Sequence, residues 1–204
     1  MKFVRFRLAG DPENQSRTGI LEGGRVVAVA SGIHGFGPEA DAWSHDMVAL
    51  IRDFPQAQAA AEKAGRATGA GTYALDEVRL LAPMVPSTIL CAGSNYHAHN
   101  REKASAPLSG KEPEFFIKTS DCVVGPDDAI VHDAVMTQKL DCETELAIVI
   151  GKAGRHIPVE SALDHVFGYS IINDVTARDL QVRRKPDGTT WYELGRGKVF
   201  DSSA

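Results

Sequence analysis

The chain has 204 residues, 43% hydrophobic and 24% charged, with a formal net charge of −5 and an isoelectric point near 5.8. That balance excludes a disordered chain, which needs fewer apolar residues and more net charge. The mild acidity gives no support to general nucleic-acid binding, which needs a basic stripe. Arg5 and Arg7 interrupt what would be the apolar part of a signal peptide, and no run reaches the roughly 18 apolar residues of a membrane helix. A cytoplasmic protein of one or two domains, with no membrane partner, is expected.

In chain order, Phe3 to Leu8 reads as a strand. Thr18 to Leu21 and Arg25 to Val29, joined by Glu22-Gly23-Gly24, read as a hairpin. Asp46 to Ile51 and Ala57 to Ala64 are helical in character. Pro83 and Pro86 predict an extended connector, because the residue before a proline avoids the helical region. Beyond it come a strand over Thr88 to Ala92 and a helix over Tyr96 to Lys103. Glu114 to Lys118 and Ala129 to Val131 read as strands separated by the turn Gly125-Pro126-Asp127-Asp128. Glu143 to Ile150 is the clearest strand. A short helix over Ser161 to Val166, a strand over Ser170 to Val175, a helical turn from Ala177 to about Val182 and a turn at Lys185 to Thr190 complete the reading. The domains expected are a small N-terminal unit, 1–76, and a second unit, 77–204. Cys91, Cys122 and Cys142 are odd in number and lack a C-x-x-C spacing, which points to reduced residues filling apolar gaps.

Three groups of residues carry possible chemistry. Glu143 and Glu145 are i and i+2 on a strand, so both carboxylates project from one face. Paired like charges repel, and a hard divalent cation with oxygen ligands relieves that. Asp174, at the end of an apolar strand, can supply a third oxygen. The alternatives are an exposed strand face for the two glutamates and a helix N-cap for Asp174. Arg178 and Asp179 read as a surface ion pair. His99 and Glu102 are i and i+3 on the predicted helix, where a carboxylate can orient an imidazole base; chance spacing is the alternative. Lys198 lies in Gly195-Arg196-Gly197-Lys198. Tyr192 and Val199 stand where a P-loop would need Gly and Ser or Thr, and Ile172 excludes a nucleophile elbow at Ser170.

The series Ile89 to His99, Phe115 to Lys118, Asp141 to Lys152, Gly168 to Gln181 and Gly197 to Asp201 resembles the fumarylacetoacetate hydrolase family over about residues 80 to 204. The blocks E-x-E-L-A-x-V-I-G-K and N-D-x-T-A-R-D-x-Q carry the resemblance, and the first 75 or so residues resemble the small N-terminal domain of many members. It implies an α+β, predominantly β fold with a rolled mixed sheet, in a homodimer. It implies that Glu143, Glu145 and Asp174 bind Mg2+, alternatively Mn2+ or Ca2+. It implies His99 as general base, Glu102 as the acid orienting it, and Lys198 against substrate or oxyanion. Lys118, Arg178, Gln181 and Tyr192 are candidates for substrate binding by position. The activity implied is hydrolysis or lysis of a C–C bond in a 2-oxo acid through a metal-stabilised enolate, as in aromatic catabolism. Decarboxylation or isomerisation, and a non-catalytic metal-binding homologue, are the alternatives. Members similar to this chain usually continue beyond the equivalent of Asp201 with a Gly-Thr-Pro-containing loop beside the substrate. A fragment or a shortened product, with incomplete closure over the substrate, is therefore expected.

Overall fold

The computed structural model describes residues 1–67, 69–102 and 112–204; the side chain of Glu102 lies outside that description. The chain folds as two compact units. One comprises Met1–Val85, Gly125–Asp128 and Leu146–Ile171; the other comprises Pro86–Val124, Ala129–Glu145 and Ile172–Ala204.

In the first unit, β1 (Phe3–Leu8), β2 (Arg17–Glu22), β3 (Arg25–Ala28), β4 (Thr72–Ala74) and β5 (Val78–Leu81) form a sheet in the order β4-β3-β2-β1-β5. Its pairings are antiparallel. Glu22 faces Arg25 across the β2–β3 turn, where Gly23 and Gly24 take φ of 56° and 76°. Left-handed dihedrals at both central positions match the twist of a hairpin, and glycine reaches them without steric cost.

Three helices follow β3: α1 (Ala40–Trp43), α2 (Met47–Arg52) and α3 (Phe54–Gly65). Asp46 caps α2, its carboxylate accepting from the Val48 amide at 2.8 Å. Ala57, Ala60, Ala61 and Ala64 recur on one side of α3, and all four are buried. The main core joins Val29, Trp43, Met47, Leu50 and Ile51 to Ala57 and Ala60, with Phe3, Phe54 and Phe167 packed at its margin, while Ala61 and Ala64 pack with Ile20 and Val27.

In the second unit, β6 (Ile89–Gly93) is followed by α4 (His97–Glu102) and pairs antiparallel with β7 (Glu114–Lys118). β8 (Leu140–Asp141) pairs with β11 (Thr176–Ala177), and β12 (Val182–Arg184) pairs with β13 (Thr190–Tyr192). α5 (Leu194–Lys198) follows. β9 (Thr144–Ile150) and β10 (Val166–Asn173), most of whose residues belong to the first unit, pair with each other.

Three expectations are corrected. Ala129 to Val131 is not a strand: the Val131 amide donates to Ser202 Oγ at 2.7 Å instead of to a ladder. The helix expected over Ser161 to Val166 is a 3-10 run, Val159–His165, and Val166 opens β10. β10 ends at Asn173, because the Asp174 and Val175 amides bond to Glu143 O and Ser203 O at 2.8 and 3.1 Å. The turn expected at Lys185 to Thr190 is present and joins β12 to β13 in a hairpin. Among the cysteines, Cys122 is buried, Cys91 half-buried and Cys142 exposed, so gap filling does not describe all three.

Candidate metal and catalytic site

Exposure alternates along the segment 143–150. Glu143, Glu145, Ala147 and Val149 lie on the more enclosed side, and Thr144, Leu146, Ile148 and Ile150 on the exposed side. The two carboxylates therefore share the inner face, and an exposed face is excluded for them. Backbone pairing ties this segment to the next acid. The Asp174 amide donates to Glu143 O at 2.8 Å, and the Glu143 amide donates to Asn173 Oδ1 at 3.1 Å. The Asn-Asp pair of the motif thus holds Glu143 reciprocally. Asp174 is not a helix cap, because Thr176–Ala177 continues as β11.

Lys198 joins the acids. Its Nζ, 3% exposed as a residue, donates to Glu143 Oε2 at 2.8 Å, Asp174 Oδ2 at 2.6 Å and Thr176 Oγ1 at 2.8 Å. It also lies 5.1 Å from the centre of the Phe116 ring. The lysine reaches this depth because of Gly197: a Cβ there would stand 2.5 Å from Gln181 Cγ and 2.8 Å from Ala177 O. Glycine permits the close approach of α5.

Arg178 grips the other side of Glu143, with Nη1 2.5 Å from Oε1, and its Nε bonds Asp141 Oδ2 at 2.9 Å. An ion pair between Arg178 and Asp179 does not form. Asp179 accepts from Thr137 Oγ1 and the Gln138 amide instead.

The carboxyls respond in opposite directions. Burial pushes Glu143 up, but the hydrogen bond and charge of Lys198, with Arg178, outweigh it and hold the group below the ordinary glutamate range. Burial raises Glu145, and the charges of Glu143 and Asp174 add to that, against an opposing hydrogen bond from Tyr96. Burial and the charge of Asp174 push the nearby Cys91 thiol up to about 11.

Lys118, a substrate-binding candidate, sits in the interior. It is fully buried, and its Nζ donates to Ser203 O at 2.7 Å, to Lys198 O and to Val175 O at 3.4 Å. His99 is half-buried on α4; its expected pairing with Glu102 lies outside the described side chains. Gln181 packs beside Gly197, whereas Tyr192 stands 70% exposed on β13, outside the cluster. Thr176 and Ser203 were not singled out. Thr176 lies within the N-D-x-T-A-R block, where its role could have been sought; Ser203 carries no sequence signal.

The fit to a metal ion is mixed in geometry and good in chemistry. Among the described residues, no three His, Cys, Asp or Glu side chains converge closely enough to hold one. Yet Glu143 and Asp174 share one cation, the Lys198 ammonium. Asp174 Oδ1 is buried and accepts no hydrogen bond among the described residues, although Lys118 Nζ lies 2.9 Å away. Carboxylate oxygens are the ligands a hard divalent cation takes.

Two family models divide the chain. "Rv2993c-like, N-terminal" matches residues 1–83 and "Fumarylacetoacetate (FAA) hydrolase C-terminal" matches residues 88–204. The oxaloacetate tautomerase YisK of Bacillus subtilis is 46% identical over 127 residues, covering 61% of this chain and 42% of that protein. The mitochondrial oxaloacetate tautomerase fahd2 of Xenopus laevis is 32% identical over 206 residues, covering 99% and 59%. The fumarylacetoacetate hydrolase of Exiguobacterium antarcticum aligns with a TM-score of 0.68 at 34% identity, covering 99% of this chain and 63% of that one. A maleylpyruvate hydrolase from Sphingobium sp. SYK-6, in complex with manganese(II) and pyruvate, aligns with a TM-score of 0.70 at 28% identity, over the same shares. The chain thus spans less than two thirds of the length of these relatives. The sequence blocks, the α+β fold rich in strands and these matches agree: the chain belongs to the fumarylacetoacetate hydrolase family.

Proposed function

We propose that this chain serves enol chemistry on a 2-oxo acid, with Glu143, Glu145 and Asp174 holding a divalent cation, Mn2+ or Mg2+. The observation that carries the reading is the pairing of Glu143 and Asp174 on one buried ammonium, with Asp174 Oδ1 accepting no hydrogen bond among the described residues. A cation held there supplies Lewis-acid polarisation of the substrate's 2-oxo and carboxylate oxygens. Arg178, part-exposed beside Glu143, meets a substrate carboxylate. Gln181 lies next to it in the same motif and orients that group. His99, with Glu102 setting its tautomer, takes the proton from the carbon next to the carbonyl and returns it to oxygen or carbon. Lys198 stands against the oxygen on which negative charge develops.

The first reaction is keto–enol tautomerisation of an oxaloacetate-like acid, supported by the names of the relatives matched at 46% and 32% identity. C–C hydrolysis of an acylpyruvate is the second reading, favoured by the neighbour solved with manganese and pyruvate. There the same enolate is the leaving group and His99 activates water. A homodimer remains part of the proposal.

The test uses the 204-residue chain with Mn2+. Enol disappearance from oxaloacetate and cleavage of acylpyruvates are followed in parallel. Glu143→Ala should abolish both turnover and Mn2+ uptake by calorimetry. Unchanged Mn2+ affinity in that variant would sink the reading.

A further inference from the structure

Lys118 closes β7 and is fully buried. Taking an ammonium out of water is costly, and a buried charge persists where paired and hydrogen-bonded. An ammonium has three protons. Here they go to three main-chain carbonyls, Val175, Lys198 and Ser203. These belong to the segment after Asp174, to the end of α5 and to the turn near residue 203. The same three stretches are bonded to each other: the Val175 amide reaches Ser203 O at 3.1 Å, and Ser203 Oγ donates to Lys198 O at 3.0 Å.

The carboxylate of Asp174 is divided between the two lysines. Oδ2 takes a hydrogen bond from Lys198 at 2.6 Å. Oδ1 lies 2.9 Å from Lys118 Nζ, in an ion pair, and accepts no hydrogen bond among the described residues. The lysine thus holds Asp174 by charge on the side of Oδ1, while Lys198 holds it through Oδ2.

We propose that Lys118 is a positioning residue, which fixes Asp174 and the main chain of Lys198 so that Asp174 Oδ1 can ligate the divalent cation. The proposal rests on the metal-site reading above. It assigns Lys118 no contact with substrate. A residue whose only task is to fill and bind the interior would be replaceable by an apolar side chain without effect on the cation.

Charge alone and positioning predict opposite signs. A positive charge 2.9 Å from a ligand carboxylate repels an incoming cation, so removing it by Lys118→Met tightens cation binding if Lys118 acts by charge alone. If Lys118 positions Asp174, the same variant binds more weakly, by about 10- to 100-fold, the usual effect of losing a group that orients a ligand. Lys118→Arg keeps the charge but presents its donors as a planar fork, which does not match three carbonyls. Positioning expects weaker binding there too; a charge effect expects none.

The experiment is calorimetric titration of the 204-residue chain and both variants with Mn2+, with circular dichroism confirming the fold. If Lys118→Met does not fold, Lys118→Arg carries the test. Weaker Mn2+ binding in a folded variant is the expected result. Equal or tighter binding in the variants, with normal uptake by the unsubstituted chain, overturns the positioning role alone. No uptake by the unsubstituted chain overturns the metal-site reading and this inference with it.

Discussion

The two units of this chain are held together by different physics. In the unit built on Met1–Val85, the buried residues are almost all apolar: Phe6, Val26, Val29, Trp43, Leu50 and the alanines of α3, with Thr18 an exception. In the other, Cys122, Val175 and Ala177 are buried beside Lys118, Thr137, Asp174, Thr176, Lys198, Ser202 and Ser203. The first is a hydrophobic core, where stability scales with apolar area removed from water. The second is a polar network, where buried charges cost free energy unless every partner is present. A core of the first kind tolerates change of composition at constant volume; one of the second kind fails when a single partner goes.

The largest expected effect follows from that asymmetry. Asp174→Ala leaves the ammoniums of Lys118 and Lys198 short of their shared carboxylate inside the protein. Removing one partner of a buried pair typically costs about 3–5 kcal/mol. Urea denaturation should show that loss, with amide exchange at Val175 accelerating before that at Ile20. Asp174→Asn, which keeps the shape, should lose cation uptake with a smaller stability change. A next test lies in the apolar unit. Leu50→Ala should cost about 2–5 kcal/mol through lost burial and a cavity. It should leave Mn2+ affinity unchanged. If Leu50→Ala altered cation binding as much as Asp174→Ala, the division of labour between the units would not stand.

Sequence reasoning reached the two units unequally. In the first, period-2 strands, the Gly23-Gly24 turn and the alanine face of α3 are local signals, and β1, the β2–β3 hairpin and α3 follow from them. In the second, periodicity placed Glu143 and Glu145 on one face, and the alternation of exposure agrees. It could not say what the acids pair with. The partners Lys198, Lys118 and Arg178 lie 55, 25 and 35 residues from Glu143, and nothing local encodes that distance. Lys118 was a substrate-binding candidate in the sequence, which could not show that its side chain turns inward to main-chain carbonyls far along the chain. Ala129 to Val131 failed for a related reason. Its β-branched composition suits a strand, but a ladder partner is a tertiary fact, and Ser202 took its amide instead.

Gly197→Ala probes how the lysine is delivered. The added Cβ meets Gln181 Cγ at 2.5 Å and the Ala177 carbonyl at 2.8 Å; the side chain can give way and the backbone cannot. Overpacking of this kind costs about 1–3 kcal/mol. Because Lys198 is the next residue, turnover should fall more than stability does. A variant with normal stability and normal rates would show that α5 has room to slide.

The smallest effect is the most diagnostic, because Glu143 and Glu145 share a face and respond to pH with opposite signs. Glu143 is held below the usual glutamate value of about 4.3. The unfolded chain therefore binds its proton more tightly than the folded one. Its contribution is present above that ordinary value and is lost as pH falls toward the lowered one. Glu145 is raised, so the folded chain binds its proton more tightly. It favours folding at low pH, and that benefit fades as pH rises from the ordinary value through the raised one. In chelator, urea midpoints followed from about pH 3 to 7 should therefore rise and then fall as the two groups titrate in turn. Glu145→Gln should remove the falling limb and raise the midpoint at neutral pH, while weakening Mn2+ binding. A falling limb that persists in Glu145→Gln would place the raised group elsewhere. If the limb vanishes while cation affinity drops, Glu145 trades stability of the empty fold for a negative charge kept beside Glu143, where folding alone would rather have none.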